Sequence, residues 1–292
     1  LTKLDVAGLN IEAVARRFYP LGRDAAHITG FVLHDGRVAW GIEASANAVL
    51  TGTKGIFGGN YGSDVRRYDA AHNGRDVVLT IDRELQIACA QILRRAVEAE
   101  RATAGTIIVL DPATGGVLAS VSEPSYDPND YPSGSDEQYL DRAVAAVWEP
   151  GSVTKPLTLA AAFEAGTASP RSTYIDEGAI EYAGATISNW DHTPHGPTTM
   201  AQLLQYSLNV GAVHVAVSLG AERFYAALAD FGFGSPTGID MNGEEAGIVH
   251  WPTEDGWFPG HLATNSFGQG MACTPIQIVA AIGALANDGV LM

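Results

Sequence analysis

Two short groups of polar residues could together perform nucleophilic chemistry. Ser152 precedes Lys155 by three positions, and Ser207 and Asn209 follow as a second group, separated from each other by a single leucine. A hydroxyl, an amine, a second hydroxyl and an amide are the groups that acyl transfer needs when no histidine serves as the base. The sequence therefore predicts acyl transfer through a serine.

The neighbours of Ser152 predict that it lies at or near the N-terminus of a helix. A Pro-Gly pair stands immediately before it, an apolar run covers residues 157–163, and Gly166 follows that run. Pro-Gly marks a turn and a glycine ends a helix, so we expect a helix over residues 155–166. Residues three apart on a helix share a face, with Cβ atoms about 5–6 Å apart, so Lys155 can reach the Ser152 hydroxyl.

An amine acts as a base only in its neutral form, and the reference pKa of lysine is about 10.4. Burial against the apolar turn and the positive end of the helix must therefore both lower the pKa of Lys155. Pro156 lacks the N–H that would otherwise bond the carbonyl of Ser152, which predicts a loose, exposed serine.

The second group can complete such a site. The hydroxyl of Ser207 can relay a proton to a leaving amine, and the amide of Asn209 can bind both the lysine and a substrate carbonyl. If residues 207–209 are extended, both side chains lie on the same side of a turn.

The composition and charge of the chain argue against several other classes of partner and site. The chain has 292 residues, a formal net charge of −16 and a pI near 4.7. Like charge opposes phosphate backbones, so we predict no nucleic-acid partner. Neither Cys89 nor Cys273 stands in a CxxC motif, and no apolar stretch is long enough to span a membrane.

Two further site types fit the sequence poorly. Residues 191–195 offer a carboxylate and two imidazoles that could bind zinc, but a central proline prevents a regular ligand face and no third cluster occurs. No Gly-x-Ser-x-Gly elbow is present for a Ser-His-Asp hydrolase. We therefore predict neither a metal nor a cofactor.

The order of patterns predicts an α+β fold. Residues 1–73 are glycine-rich, and a strand is expected over 76–81, followed by a hairpin made by 105–111 and 117–122. Helical patterns dominate from residue 139 onward. The predicted helices cover residues 83–102, 140–147, 155–166, 199–219, 222–231 and 274–287.

These motifs resemble the class B penicillin-binding proteins, the monofunctional transpeptidases of cell-wall synthesis, whose superfamily carries SxxK, Ser-x-Asn and KTG elements. Segments similar to the family's N-terminal pedestal are RFYP (17–20), AAHITG (25–30) and GIE (41–43). Segments similar to its transpeptidase domain are LTID (79–82), LDPATG (110–115), PSYDPN (124–129), SFGQG (266–270) and TPIQ (274–277).

The resemblance implies a penicillin-binding, serine β-lactamase-like domain with an antiparallel sheet and a helical subdomain over residues 74–292, preceded by part of a pedestal over 1–73. Ser152 would attack the penultimate D-alanine of a peptidoglycan stem peptide, with Lys155 as base, and β-lactams would acylate the same serine. Trp190, Gln269 and Gly270 are expected to contact the substrate. Further expected partners are a glycosyltransferase and other cell-wall or division membrane proteins.

One part of the family pattern, the Lys-Thr/Ser-Gly motif, does not occur between Ser207 and Met292. We expect it to follow Met292 on a strand beside the 105–122 hairpin, and a membrane anchor to precede Leu1, which would place the catalytic domain outside the cytoplasm. The chain alone is expected to be inactive and unstable. A β-lactamase, a D-alanyl carboxypeptidase and a non-catalytic β-lactam sensor remain as alternatives.

Overall fold

The structure is a computed structural model that describes residues 16–59 and 66–292. Its helices and short antiparallel strands confirm the predicted α+β class. In the described ranges no helix is both long enough and apolar enough to cross a bilayer. The α-helices described are α1 (Ala26–Thr29), α2 (Gly41–Ser45), α3 (Asn47–Leu50), α4 (Arg83–Glu100), α5 (Asp136–Tyr139), α6 (Arg142–Ala145), α7 (Lys155–Glu164), α8 (Met200–Gln205), α9 (Asn209–Leu219), α10 (Ala221–Asp230), α11 (Pro259–Asn265) and α12 (Pro275–Ala286).

The strands are short, and each pairs antiparallel with one other described strand. They are β1 (Ile56–Gly59), β2 (Arg66–Asp69), β3 (Gly105–Leu110), β4 (Val117–Glu123), β5 (Thr173–Asp176), β6 (Ala179–Tyr182), β7 (Ala185–Ser188) and β8 (Gly196–Thr199). β3 pairs with β4, which confirms the predicted hairpin, and the other pairs are β1 with β2, β5 with β8 and β6 with β7. In the hairpin Gly105 lies opposite Glu123, and Leu110 lies opposite Val117 after a register shift.

Four predicted helices are confirmed to within two residues at each end, as α4, α7, α10 and α12. Within the predicted helix over residues 140–147 the structure has only the four-residue α6. The strands β5 to β8 were not predicted, because each has four residues and alternates over too short a distance to stand out.

Helix α4 covers one face of the hairpin. Asp82 begins it, since its carboxylate accepts the N–H of Leu85 at 2.8 Å. Cys89 and Leu93 belong to a buried cluster that includes Ala119 of β4. Two strands are marginal alone in water, so this packing stabilises the hairpin.

The predicted strand over residues 76–81 is wrong. Within residues 16–59 and 66–292 the segment has no strand partner, and Val78 is 94% exposed. Its end is tied to β4 instead, where the Thr80 hydroxyl donates to the carbonyl of Val117 at 2.6 Å. Residues 77–81 line a cavity of about 690 Å³. Valine-rich composition gives a strand only where an adjacent strand accepts its hydrogen bonds.

Helix α7 runs through the core. Leu157 packs into a buried cluster with Phe224 and Phe233, and Leu159 packs into a second cluster with Leu203. A helix that is apolar on several sides is typical of a protein interior. The element that carries Lys155 at its start is therefore held on two sides.

The predicted single helix over residues 199–219 is wrong, because two helices occupy this segment. α8 ends at Gln205 and α9 begins at Asn209. Between them, Ser207 adopts a left-handed backbone conformation with φ +54°. This break turns the chain at the position where the sequence places the second polar group.

The first described segment packs against residues that follow the hairpin. Tyr19, Ala26 and Phe31 form a buried cluster with Tyr126, whose hydroxyl donates to the carbonyl of Ala26 at 2.8 Å. The division between residues 1–73 and 74–292 stays a prediction.

Candidate active site

A tight turn presents Ser152 to solvent. Gly151 has φ +62°, and a short 3₁₀ helix over Gly151–Thr154 leads directly into α7. Ser152 is exposed at this helix start, as the Pro-Gly signal predicts. Its carbonyl is not free, however, because the N–H of Lys155 donates to it in the 3₁₀ turn. The expectation that Pro156 leaves this end loose is therefore wrong.

The turn is fixed to a second segment. The N–H of Gly151 donates to the carbonyl of Gly268 at 2.9 Å, and the N–H of Gly270 donates to the Glu149 carboxylate at 2.8 Å. A Cβ on Gly268, whose φ is +79°, would lie 2.2 Å from the carbonyl oxygen of Gly151. The close approach requires glycine there. It also places Gln269 and Gly270, both exposed, beside the serine turn.

The amine of Lys155 lies at the centre of the site. The residue is 1% exposed, and its Nζ lies 3.1 Å from Ser152 Oγ and 3.0 Å from Ser207 Oγ. Two further oxygens are nearer, the carbonyl of Ser207 at 2.6 Å and Oδ1 of Asn209 at 2.8 Å. The structure thus brings the other three predicted residues, Ser152, Ser207 and Asn209, together around the Lys155 nitrogen.

The surroundings of Lys155 favour the neutral amine. Burial lowers its pKa from 10.5 to about 8, because its hydrogen-bond partners are uncharged oxygens that do not compensate for the lost hydration. A neutral amine has two N–H donors and one lone pair. The two carbonyl-type oxygens can take both donors, while the lone pair faces hydroxyls that can donate to it. The arrangement can therefore accept a proton from Ser152.

The second group reaches Lys155 because of the break between α8 and α9. Ser207 is left-handed and Asn209 is helical, so residues 207–209 do not form an extended segment, and only Leu208 between them is extended. Asn209 is the first residue of α9, and its Nδ2 donates to the carbonyl of Ser188 at 3.1 Å. The left-handed turn lets both the hydroxyl and the carbonyl of Ser207 face the amine.

Trp190 lies next to this second group. Its side chain is 69% exposed, and its Nε1 donates to the carbonyl of Tyr206 at 2.9 Å. The indole is therefore tied to the residue that directly precedes Ser207. Nearby, His195 Nε2 lies 2.8 Å from the Asp191 carboxylate. Among the residues that the structure describes, no three His, Cys, Asp or Glu side chains are grouped to hold a metal ion.

Comparison with known proteins agrees with this geometry. The family model described as the penicillin-binding protein transpeptidase domain matches residues 105–292. The chain belongs to this family. This match, together with the relatives and solved structures below, confirms the predicted transpeptidase fold and the resemblance to class B penicillin-binding proteins.

Relatives and solved structures extend the match over most of the chain. Stage V sporulation protein D of Bacillus subtilis is 36% identical over 298 residues, covering 99% of this chain and 46% of the relative. Peptidoglycan D,D-transpeptidase FtsI of Escherichia coli is 30% identical, covering 99% of this chain and 49% of the relative. The chain spans about half the length of the curated relatives it matches.

A crystal structure of penicillin-binding protein 3 from Mycobacterium tuberculosis has a TM-score of 0.83 at 34% identity, covering 93% of this chain and 58% of that one. The same protein has been solved in complex with aztreonam and with ampicillin.

Several residues that shape the site were not predicted from the sequence. Glu149 stands directly before the Pro-Gly turn, and its carboxylate accepts the N–H of Gly270. Its position beside that turn is the one feature of the local sequence that points to it. Asp176 and Asn189 lie buried behind Asn209, and no local pattern marks them. Contacts between residues distant in sequence created this part of the site.

Proposed function

We propose that the protein is a peptidoglycan D,D-transpeptidase that cross-links stem peptides through an acyl-enzyme on Ser152. The observation that carries this proposal is the buried Lys155 Nζ, 3.1 Å from the exposed serine hydroxyl and held by two carbonyl-type oxygens. Membership of the transpeptidase family supports it, as does the relative named peptidoglycan D,D-transpeptidase.

In the first step Ser152 Oγ bonds to the carbonyl carbon of the penultimate D-alanine, and the hydroxyl proton passes to the neutral amine of Lys155. The peptide C–N bond then breaks. The departing D-alanine nitrogen takes a proton by way of the Ser207 hydroxyl, which lies 3.0 Å from Lys155 Nζ. The products of this step are an ester on Ser152 and free D-alanine.

In the second step the amine of a neighbouring stem peptide attacks the ester carbon. Its proton returns through the same hydroxyl and amine, the C–O bond breaks, and Ser152 regains its hydroxyl proton. Asn209 holds Lys155 through Oδ1 at 2.8 Å throughout. Trp190, Gln269 and Gly270, exposed around the site, are proposed to contact the substrate.

A β-lactam would acylate Ser152 in the same way and remain attached. The complexes of the Mycobacterium tuberculosis relative with aztreonam and ampicillin support this proposal. We also propose that the protein works at the cytoplasmic membrane with its catalytic domain outside the cytoplasm, alongside a glycosyltransferase and other cell-wall or division proteins. The name of the Escherichia coli relative supports a role in peptidoglycan synthesis.

The test uses the protein at its full natural length, supplied with a pentapeptide donor that ends in D-alanyl-D-alanine and a separate amine acceptor. We expect release of one D-alanine for each donor–acceptor product, measured by mass spectrometry, and neither product with Ser152→Ala. Release of D-alanine with water as the only acceptor would favour a carboxypeptidase instead. Cross-linking that survives Ser152→Ala would defeat the proposal.

A β-lactamase shares the serine and the lysine, and the lifetime of the penicillin adduct distinguishes the two activities. We expect an adduct that persists over many minutes, whereas a β-lactamase would hydrolyse it and regenerate free enzyme within seconds. A sensor would also keep the adduct but would form no cross-links.

A further inference from the structure

A buried carboxylate lies behind the second polar group. Asp176, at the end of β5, is 1% exposed. It accepts hydrogen bonds from the Tyr174 hydroxyl at 2.9 Å, the Gly178 N–H at 2.9 Å and the Asn189 Nδ2 at 2.8 Å. A buried charge needs such partners, and once it has them its donors are held in fixed positions. Asp176 therefore fixes the orientation of the Asn189 amide.

Residues 188 and 189 in turn hold the first two residues of α9. The carbonyl of Ser188 accepts from Nδ2 of Asn209, and Oδ1 of Asn189 accepts from the N–H of Val210, both at 3.1 Å. Val210 is in the first turn of α9, where a backbone N–H has no partner within the helix. The consecutive residues Ser188 and Asn189 thus hold the consecutive residues Asn209 and Val210.

These two hydrogen bonds determine which end of the Asn209 amide lies next to the Lys155 amine. With Nδ2 committed to Ser188, Oδ1 is left to accept from Lys155 Nζ at 2.8 Å. A reversed amide would direct an NH₂ group at the amine, which would lose one of its two carbonyl-type acceptors. The lone pair of Lys155 would then no longer be directed by its other bonds toward the serine.

We propose that Asn189, fixed by Asp176, is a positioning residue that orients Asn209 and through it Lys155, a role that rests on the proposed acyl transfer through Ser152. Asn189 is 1% exposed, and no atom of it contacts Lys155 in the hydrogen-bond network. Its effect on the reaction must therefore pass through Asn209.

The test measures acylation of the full-length natural protein by a fluorescent penicillin, separating the dissociation constant of the non-covalent complex from the first-order acylation constant. The variants are Asn189→Ala, Asn209→Ala and the double variant. The Asn189 side chain makes three hydrogen bonds, the third a donation from Nδ2 to the carbonyl of Thr193 at 3.5 Å. Gln86→Ala is the matched control, because the Gln86 side chain is also 1% exposed and also makes three hydrogen bonds, but lies on α4. Thermal unfolding shows how much each change destabilises the fold.

We expect Asn189→Ala to lower the acylation constant about tenfold, the effect of losing one well-oriented hydrogen bond, with the dissociation constant unchanged. Gln86→Ala should lower the melting temperature similarly but leave acylation within about twofold. In the Asn209→Ala background, Asn189→Ala should change acylation by less than about twofold, because its route of action is already gone.

Several results would overturn the positioning role. One is an equal acylation loss in Gln86→Ala, and another is an additive loss in the double variant, since either would indicate general destabilisation. Unchanged acylation in Asn189→Ala would do the same. If Asn189→Ala does not fold, Asn189→Ser, which keeps a shorter polar side chain, carries the same expectation. Absence of any adduct on the unsubstituted protein would instead defeat the proposed function, and the positioning role with it.

Discussion

The rate of acylation should rise with pH in the way that a base with a pKa of about 8 dictates. Burial lowers the pKa of Lys155 to that value, so the neutral fraction is about one hundredth at pH 6, about one tenth at pH 7 and one half at pH 8. At its ordinary value of 10.5 the neutral fraction at pH 7 would be roughly three in ten thousand. The acylation constant should therefore increase about tenfold from pH 6 to pH 7 and level off above about pH 9.

The assay is the first-order acylation constant of the full-length protein with a fluorescent penicillin, measured between pH 5.5 and 10. Spontaneous hydrolysis of the penicillin is subtracted at each pH, and circular dichroism confirms that the fold persists across the range. Lys155→Arg, which stays charged at every pH tested, should remove the pH-dependent rise. A flat profile between pH 6 and 9, or a rise centred near 10.5, would mean that burial does not make this amine the base.

Two substitutions test the parts that position the site. Asn209→Ala removes the Oδ1 acceptor that lies 2.8 Å from Lys155 Nζ, and it should lower the acylation constant between about tenfold and a hundredfold in the penicillin assay described above. A loss below about twofold would mean that Asn209 does not hold Lys155 for the reaction. Gly268→Ala places a Cβ 2.2 Å from the Gly151 carbonyl and should lower the free energy of unfolding by more than about 2 kcal/mol. Gly184→Ala is its control, with a similar φ of +82° but open space around the added atom, and should cost only about 1 kcal/mol in urea unfolding. Equal losses in both glycine variants would mean that the close approach at Gly268 is unimportant.

The sequence alone was sufficient where a few neighbouring residues decide the structure. The three-residue spacing of Ser152 and Lys155, with a turn before them and an apolar run after, correctly predicted a shared helix start. The hairpin of β3 and β4 was equally local, because a turn separates two β-rich runs.

Other features depended on contacts that no local pattern records. The valine-rich segment 76–81 has the composition of a strand but lacks a strand partner in the described structure. The left-handed Ser207 interrupts an apolar stretch that looks continuously helical. The buried pair of Asp176 and Asn189 shapes the site through partners located at residues 174, 178 and 210. Such positions become apparent only when the chain is folded.

We propose above that Ser152, activated by Lys155, forms the acyl-enzyme. The most direct measurement is peptide mapping by mass spectrometry of the full-length protein after reaction with benzylpenicillin. We expect one covalent adduct, on the peptide that contains Ser152, and its loss in Ser152→Ala. An adduct on any other residue, or an unlabelled folded protein, would mean that Ser152 is not the nucleophile.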